Sequence, residues 1–433
     1  MKAETMILGA GPNAVFSTDC EKTGLNNNVV VCAGSGCGKT VSILEPRLLY
    51  TFDSSLVVTC TKRRIVEKYR DVFQNERGYH VWDLNFADPL SANCSYDPMQ
   101  YVSSYSDITF LAESIVKSSP KQYGNNSIDP YWEHAAVSLL SALIAYTMLI
   151  EKNPTFADVL DKLDSLHIEE SGSRIKTTLD SKFERLAQKD PHCFAVTCWE
   201  SFHVLPIRTA ACVFGTLNCT IDTVFSPELR KMISKKATVD FRKLSSEKTV
   251  LFITTSAVNP SLHCFVNMFY SQMFKQLFEY AESRPDGKLP RPVHVLCDDF
   301  AVGSRILNFP EYISIFREKQ ISVLLLLQSE SQLERMYGTD DTITILDNCD
   351  TYIYGGGMNI KTCRHISERL NVPLEDVLTM PQGQEVIFRR GMKPVITQRF
   401  DVFRDAEYNR ITRAYEKRIR QQQETDRKTE RTV

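Results

Sequence analysis

The 433-residue sequence predicts an α/β fold: a mostly parallel sheet whose strands and helices alternate, interrupted by a block of helices. Three observations predict it. A Gly-rich turn, "CAGSGCGKT" (Cys32 to Thr40), joins a β-branched strand to an apolar-periodic helix. Strands alternate with helices on both sides of a long central region, the pattern that builds a parallel sheet covered on both faces. Within that region, from about position 108 to 233, apolar residues recur at helical spacing and strands are absent. The length exceeds what one core comfortably supports. The expected division is therefore an α/β domain from 1–107 and 234–403, an all-α insertion over 108–233, and a charged tail over 404–433.

Taken in order, the first strand is Val29 to Val31 in "NNVVVC", followed by the turn and a helix through "VSILEPRLLY". A second strand follows in "SSLVVTC" (Ser54 to Cys60), a charged helix from Lys62 to Phe73, and a third strand in "YHVWDL" (Tyr79 to Leu84). Inside the helical block the longest uncharged run is "AAVSLLSALIAYTMLI" (Ala135 to Ile150). It is shorter than the ~20 apolar residues a spanning helix needs and reads as a core helix. Alternation returns with "KTVLFITTS" (Lys248 to Ser256), a long amphipathic helix, "VHVLCDDF" (Val293 to Phe300), "ISVLLLLQS" (Ile321 to Ser329) and "TYIYGGG" (Thr351 to Gly357). "EVIFRRGMKPVITQRF" reads as a hairpin turned at Arg390 to Lys393. The last 30 residues carry nine Lys or Arg and six Asp or Glu with no apolar stripe after Ile419, so a frayed helix giving way to disorder is expected.

Composition narrows the function classes only a little. Basic and acidic residues nearly cancel, 51 against 53, so affinity for nucleic acid would come from a local patch. The 13 cysteines include no C-x-x-C pair, which fits a reducing cytosol; His192, Cys193 and Cys198 match no zinc spacing and read as buried free thiols.

The turn carries the chemistry. In the pattern G-x-x-x-x-G-K-[ST], successive backbone N–H groups converge on phosphates at a helix N-terminus, the Lys reaches the β- and γ-phosphates, and the hydroxyl binds Mg²⁺. Here Gly34, Ser35, Gly36, Cys37, Gly38, Lys39 and Thr40 supply those parts, and Ala33 stands at the first Gly position. Asp298 and Asp299 end a strand. Beside such a loop the first acid would hold the Mg²⁺ shell and the second would orient or deprotonate the attacking water. Gln328 ends the next strand, from which its amide would contact the γ-phosphate or the water, or simply cap the following helix. Arg317, on the preceding helix, reads by itself as a solvated residue.

Together "TGLNNNVVVCAGSGCGKT", "RGYHVWDLNFADPLSANCSYDPM", "DPYWEHAAVSLLSALIAY", "LCDDF", "LLLLQSESQLERMYG" and "YIYGGGMNIKTCRHISERL" resemble, in order, the type IV coupling proteins, TraG-like P-loop ATPases of conjugation and secretion systems. The resemblance, strongest to relatives in Gram-positive mobile elements, runs from about Met6 to Phe400. It implies a RecA-like motor interrupted by an all-α domain, working as a homo-hexamer with ATP and Mg²⁺ at each subunit interface. It places Asp298 and Asp299 on the Walker B acids, Gln328 on the post-strand glutamine, and Arg317 on an arginine that reaches the neighbouring subunit's nucleotide. The implied partners are single-stranded DNA, a relaxase and secretion-channel components. Two alternatives are a double-stranded DNA translocase of the FtsK type and a docking hub that binds nucleotide without hydrolysing it.

The sequence departs from the family in four places. Ala33 replaces a Gly. Asp299 stands where relatives usually carry Glu, which would slow hydrolysis. "CTKRR" (Cys60 to Arg64) replaces an Asp-Pro-Lys-Gly segment. Relatives commonly begin with membrane helices, whereas this chain begins almost at the motor, so the expectation is a cytoplasmic protein that meets the inner face of the membrane through partners.

Overall fold

The computed structural model describes residues 4–117, 130–171, 174–233, 239–256, 260–300, 302 and 305–430. Its first elements are a hairpin the sequence reading missed, β1 (Thr5–Ile7) and β2 (Val15–Ser17), then a single helical turn, α1 (Cys20–Thr23). The three expected strands follow as β3 (Val29–Cys32), β4 (Ser55–Cys60) and β5 (His80–Asn85), separated by α2 (Glu45–Leu49) and α3 (Arg63–Asp71).

The helical block comprises α4 (Tyr105–Val116), α5 (Pro130–Ile150), α6 (Phe156–Asp164), α7 (Asp180–Lys189), α8 (Phe194–His203), α9 (Ile207–Val224) and α10 (Pro227–Ile233). It is not purely helical. Between α6 and α7 an antiparallel pair, β6 (Ile168–Ser171) and β7 (Arg174–Thr177), forms a small hairpin, too short and too charged to stand out by periodicity. By length and composition Tyr131–Ile150 could cross a membrane, but 61% of its apolar window is buried in the protein, and α5 packs against α4, α8 and α9. The expected boundary at 233/234 abuts residues 234–238, and Asp129 of the "DPYWEH" segment also lies outside the described residues.

The chain then returns through α11 (Lys243–Ser246), β8 (Thr249–Thr254), α12 (Pro260–Glu282), β9 (Val293–Cys297), α13 (Phe309–Lys319), β10 (Ile321–Leu327), α14 (Glu330–Tyr337), α15 (Thr339–Asp347), β11 (Thr351–Tyr354), α16 (Ile360–Leu370) and α17 (Leu374–Leu378). The expected hairpin is β12 (Gln384–Arg389) with β13 (Val395–Gln398). Nine strands form one sheet in the order β13-β12-β11-β3-β10-β9-β4-β8-β5. All pairings from β11 to β5 are parallel, and the hairpin adds two antiparallel strands at one edge.

The strand sequences are apolar on both faces because both are covered. Val29, Val31, Leu56, Val58, Leu324 and Leu326 face one core with α2 and α3, while Val30, Cys32, Val57, Leu325 and Leu327 face the other with α12, α13 and the insertion. This alternation is the period-2 geometry of a strand. All 13 cysteines are free; Cys193 and Cys198 are half-buried rather than buried.

The tail expected to be disordered is instead a 25-residue helix, α18 (Ala406–Glu430). Two apolar residues suffice to anchor it: Tyr408 and Ile411 are 2% exposed in the core shared with α3. Polar contacts extend the anchoring, with Tyr415 donating to Glu67 at 2.9 Å and Arg418 paired with Asp71. Positions 431–433 of the expected tail lie outside the described residues.

Candidate nucleotide site

Every strand of the parallel region delivers its C-terminal end to one edge of the sheet, where α/β folds place their ligand sites. β3 lies between β10 and β11, so the turn after Cys32 is flanked by the ends of both. Ala33 donates to the Leu327 carbonyl at 3.1 Å, and Gly34 donates to Gly356 at 2.8 Å. The methyl of Ala33 is accommodated because position 355 is glycine: a Cβ there would lie 3.0 Å from that of Ala33. The departure at Ala33 is thus matched by Gly355, directly after the neighbouring strand β11.

The loop bends as an anion cradle must. Gly36 and Gly38 both hold φ of 77°, the left-handed region that side chains disfavour. The helix it feeds starts with a wide turn in which Glu45 N–H bonds Thr40 C=O, five residues back. Pro46 supplies a reason: its ring would press on the carbonyl four residues earlier in a regular helix.

Lys39 donates to the carbonyls of Ala33 at 2.5 Å and Gly34 at 3.0 Å, so its ammonium lies across the turn. Partial burial lowers its pKa from the ordinary lysine value. The Thr40 hydroxyl donates to both oxygens of Asp298, at 3.2 and 3.1 Å. Asp298 is buried at the end of β9. Its pKa is pushed up to about 6, first by burial and then by the adjacent Asp299. Two acids held this close favour a nearby cation. Among the described residues no group of three or more His, Cys, Asp or Glu converges as a metal site. Thr40 and Asp298 do place hydroxyl and carboxylate oxygens side by side, the kind of ligand atoms that Mg²⁺ takes together with phosphates and waters.

Asp299 is half-buried and adopts a left-handed backbone with φ 54°. Asp tolerates that conformation better than most residues because its short side chain bonds locally. Gln328 follows Leu327, the strand partner of Cys32, and is exposed beside the loop. The structure therefore brings together the loop residues Gly34 to Thr40 with Asp298, Asp299 and Gln328. Arg317 is not among them. It is exposed in the last turn of α13, which enters the opposite end of β10, a strand roughly 20 Å long. Its charge is felt instead by the Cys20 thiol.

Several residues near the site were missed in the sequence. Lys62, in the departing "CTKRR", is close enough to draw down the pKa of Asp298. His263 on α12 feels Asp299, while burial lowers its own pKa. Arg63 pairs with Asp83, which is fully buried within β5. Most directly, Arg399 Nη1 donates to the Cys37 carbonyl at 2.6 Å. Of these, Lys62 and Arg63 alone had a sequence signal, since they lie in the "CTKRR" segment that departs from the family pattern.

A family model described as type IV secretory system conjugative DNA transfer matches residues 4–371. No curated protein sequence matches the chain. Among solved structures, the chain is similar to the plasmid coupling protein TrwB in complex with ADP and Mg²⁺, at 15% identity and TM-score 0.67, over 91% of this chain and 89% of that one. TrwB with the non-hydrolysable ATP analogue ADPNP is similar at 15% identity and TM-score 0.64, over 86% and 85%. VirB4 of Thermoanaerobacter pseudethanolicus is more distant, at 10% identity and TM-score 0.53, over 93% and 97%.

Proposed function

The chain belongs to the type IV secretory system conjugative DNA transfer family, and on that premise we propose that it is an ATP-driven coupling protein that moves single-stranded DNA toward a secretion channel. The observation that carries the reading is the hydroxyl of Thr40, the last residue of a loop of the phosphate-binding type, bonded to Asp298 at 3.1 Å. The complexes of TrwB with ADPNP and with ADP and Mg²⁺ support the same ligands here.

In this reading the backbone N–H groups of Gly34 to Lys39 cradle the phosphates, and the Lys39 ammonium leaves the Ala33 and Gly34 carbonyls to neutralise the β- and γ-oxygens. Thr40 and Asp298 hold Mg²⁺, which when bound screens charge on the phosphates. Gln328 orients the attacking water and Asp299 accepts its proton. Arg317, remote from its own loop, serves the neighbouring subunit of a homo-hexameric ring, where its guanidinium meets charge developing on the γ-phosphate. A relaxase bound to the DNA and the channel components at the inner membrane face are the partners. DNA contacts follow local Lys and Arg, with affinity that falls steeply with salt.

A second reading draws on Asp299, whose side chain is one methylene shorter than the Glu of relatives: a hub that binds nucleotide and docks substrates without turnover. Steady-state ATP hydrolysis with and without single-stranded DNA separates the two, comparing the unmodified protein with Lys39→Ala. DNA-stimulated turnover that vanishes in Lys39→Ala is expected. Nucleotide binding without turnover would overturn the motor in favour of the hub.

A further inference from the structure

The loop is braced from the far end of the sequence. Arg399 directly follows β13, and its own N–H donates to the Gly383 carbonyl at 2.8 Å, which fixes it to the strand beside it. From there the side chain spans to the loop. Its Nη1 donates to the Cys37 carbonyl at 2.6 Å, and the guanidinium rests on Gly38: a Cβ at that glycine would fall 2.8 Å from Nη1. Gly38 is therefore required twice, by its φ of 77° and by Arg399.

A trans peptide points its C=O and N–H in opposite directions. With the Cys37 carbonyl held toward Arg399, the N–H of Gly38 is turned away from it, toward the concave side of the loop. That side is where loops of this type receive phosphate oxygens. A loop whose Cys37–Gly38 peptide flipped would present a carbonyl oxygen to the phosphates instead.

We propose that Arg399 is a positioning residue for the nucleotide loop, locking the Cys37–Gly38 peptide so that the Gly38 N–H faces the bound phosphates. The inference rests on the nucleotide-binding reading above. It also makes the C-terminal hairpin part of the site, since β13 and Gly383 hold the arginine in place.

The test is ADP and ATP affinity of the full chain by titration calorimetry, for the unmodified protein, Lys39→Ala, Arg399→Met and Arg399→Lys. Each is measured well below its own melting midpoint. Arg399→Met keeps the apolar stem but loses every donor, so it should bind both nucleotides about tenfold to a hundredfold more weakly, the range of a hydrogen bond from a charged group. Arg399→Lys should recover most of the loss, which a role in packing alone would not give, because Met preserves packing as well. Steady-state kinetics should show the Met change in KM with kcat little altered. Arg399→Met within twofold of the unmodified protein would overturn the proposal while leaving nucleotide binding intact. If the unmodified protein binds no nucleotide, the underlying reading fails instead.

Discussion

Glu385→Gln should stabilise the protein, by an amount that grows with pH. Glu385 is 4% exposed on β12, and its Oε1 has no hydrogen-bond partner. That oxygen lies against the Gly9 backbone and the Thr397 methyl: a Cβ at Gly9 would sit 2.6 Å from Oε1 and 2.7 Å from the methyl carbon. Burial in these surroundings pushes the carboxyl's pKa from an ordinary 4.5 to about 8, against a smaller downward pull from Arg399. Because the folded state binds this proton more tightly than the unfolded chain, the stability it confers is complete below about pH 4.5 and is lost as pH rises through about 8. At about 1.4 kcal/mol per pH unit, the loss is about 3 kcal/mol at pH 7 and about 5 kcal/mol once the group ionises. Gln has nearly the same shape and does not titrate. Its extra N–H donors add an offset that is constant with pH, so the slope is the diagnostic quantity. Urea unfolding of both proteins, followed by circular dichroism from pH 5 to 8.5, measures it. The gap between variant and parent should widen with pH by roughly 1 kcal/mol per unit up to about pH 8. A gap that stays flat across this range would refute the argument that burial holds Glu385 neutral.

Gly355→Ala should cost about 1–2 kcal/mol by crowding Ala33, and weaken nucleotide binding through the displaced loop. Adding Ala33→Gly should restore both, a compensation read by thermal melts and ADP titration; a double variant no better than the single would count against the contact. Lys68→Met should cost about 3–5 kcal/mol, because Lys68 and Glu45 form an ion pair at 2.8 Å with side chains 1% and 6% exposed, and the variant strands the carboxylate. Lys68 also lies 3.3 Å from the Tyr408 ring centre, so limited trypsin digestion should cut α18 sooner in the variant. A loss below about 1 kcal/mol would show that the Tyr69 hydroxyl, 2.8 Å from Glu45, suffices by itself.

The strands of the sheet were legible because they are buried on both faces and bounded by turn residues, and the loop because its glycines and lysine have fixed chemical jobs. Asp298 and Gln328 were legible as strand ends next to that loop. Arg399 was not: an arginine after an edge strand looks like any solvated charge until the hairpin is seen folded back against Cys37. Gly355 and Ala33 form a pair across 322 positions, invisible to any local window. The N-terminal hairpin hid in three-residue strands. Helix α18 was misjudged for a different reason. Its composition satisfies a rule for disorder, yet two anchoring residues and two ion pairs, to Asp71 of α3 and to Glu76 just beyond it, hold it.

The strand order also dictates when the protein can fold. In the nine-stranded sheet β3, β4 and β5 never touch one another; their hydrogen-bonded neighbours are β8, β9, β10 and β11, all encoded beyond position 248. At ribosomal rates of about 5–20 residues per second, the apolar "VVVC" strand waits roughly 15 to 60 s for the first of its own partners, β10, to be made. Until then it presents unpaired backbone and valine side chains to solvent, the hazard of an unprotected strand edge. The brace of the phosphate cradle is made later still: Arg399 lies 359 positions after Thr40, so the loop exists long before the side chain that bonds the Cys37 carbonyl. A truncated product that stops within the helical block would carry the motif and still be unable to build its site.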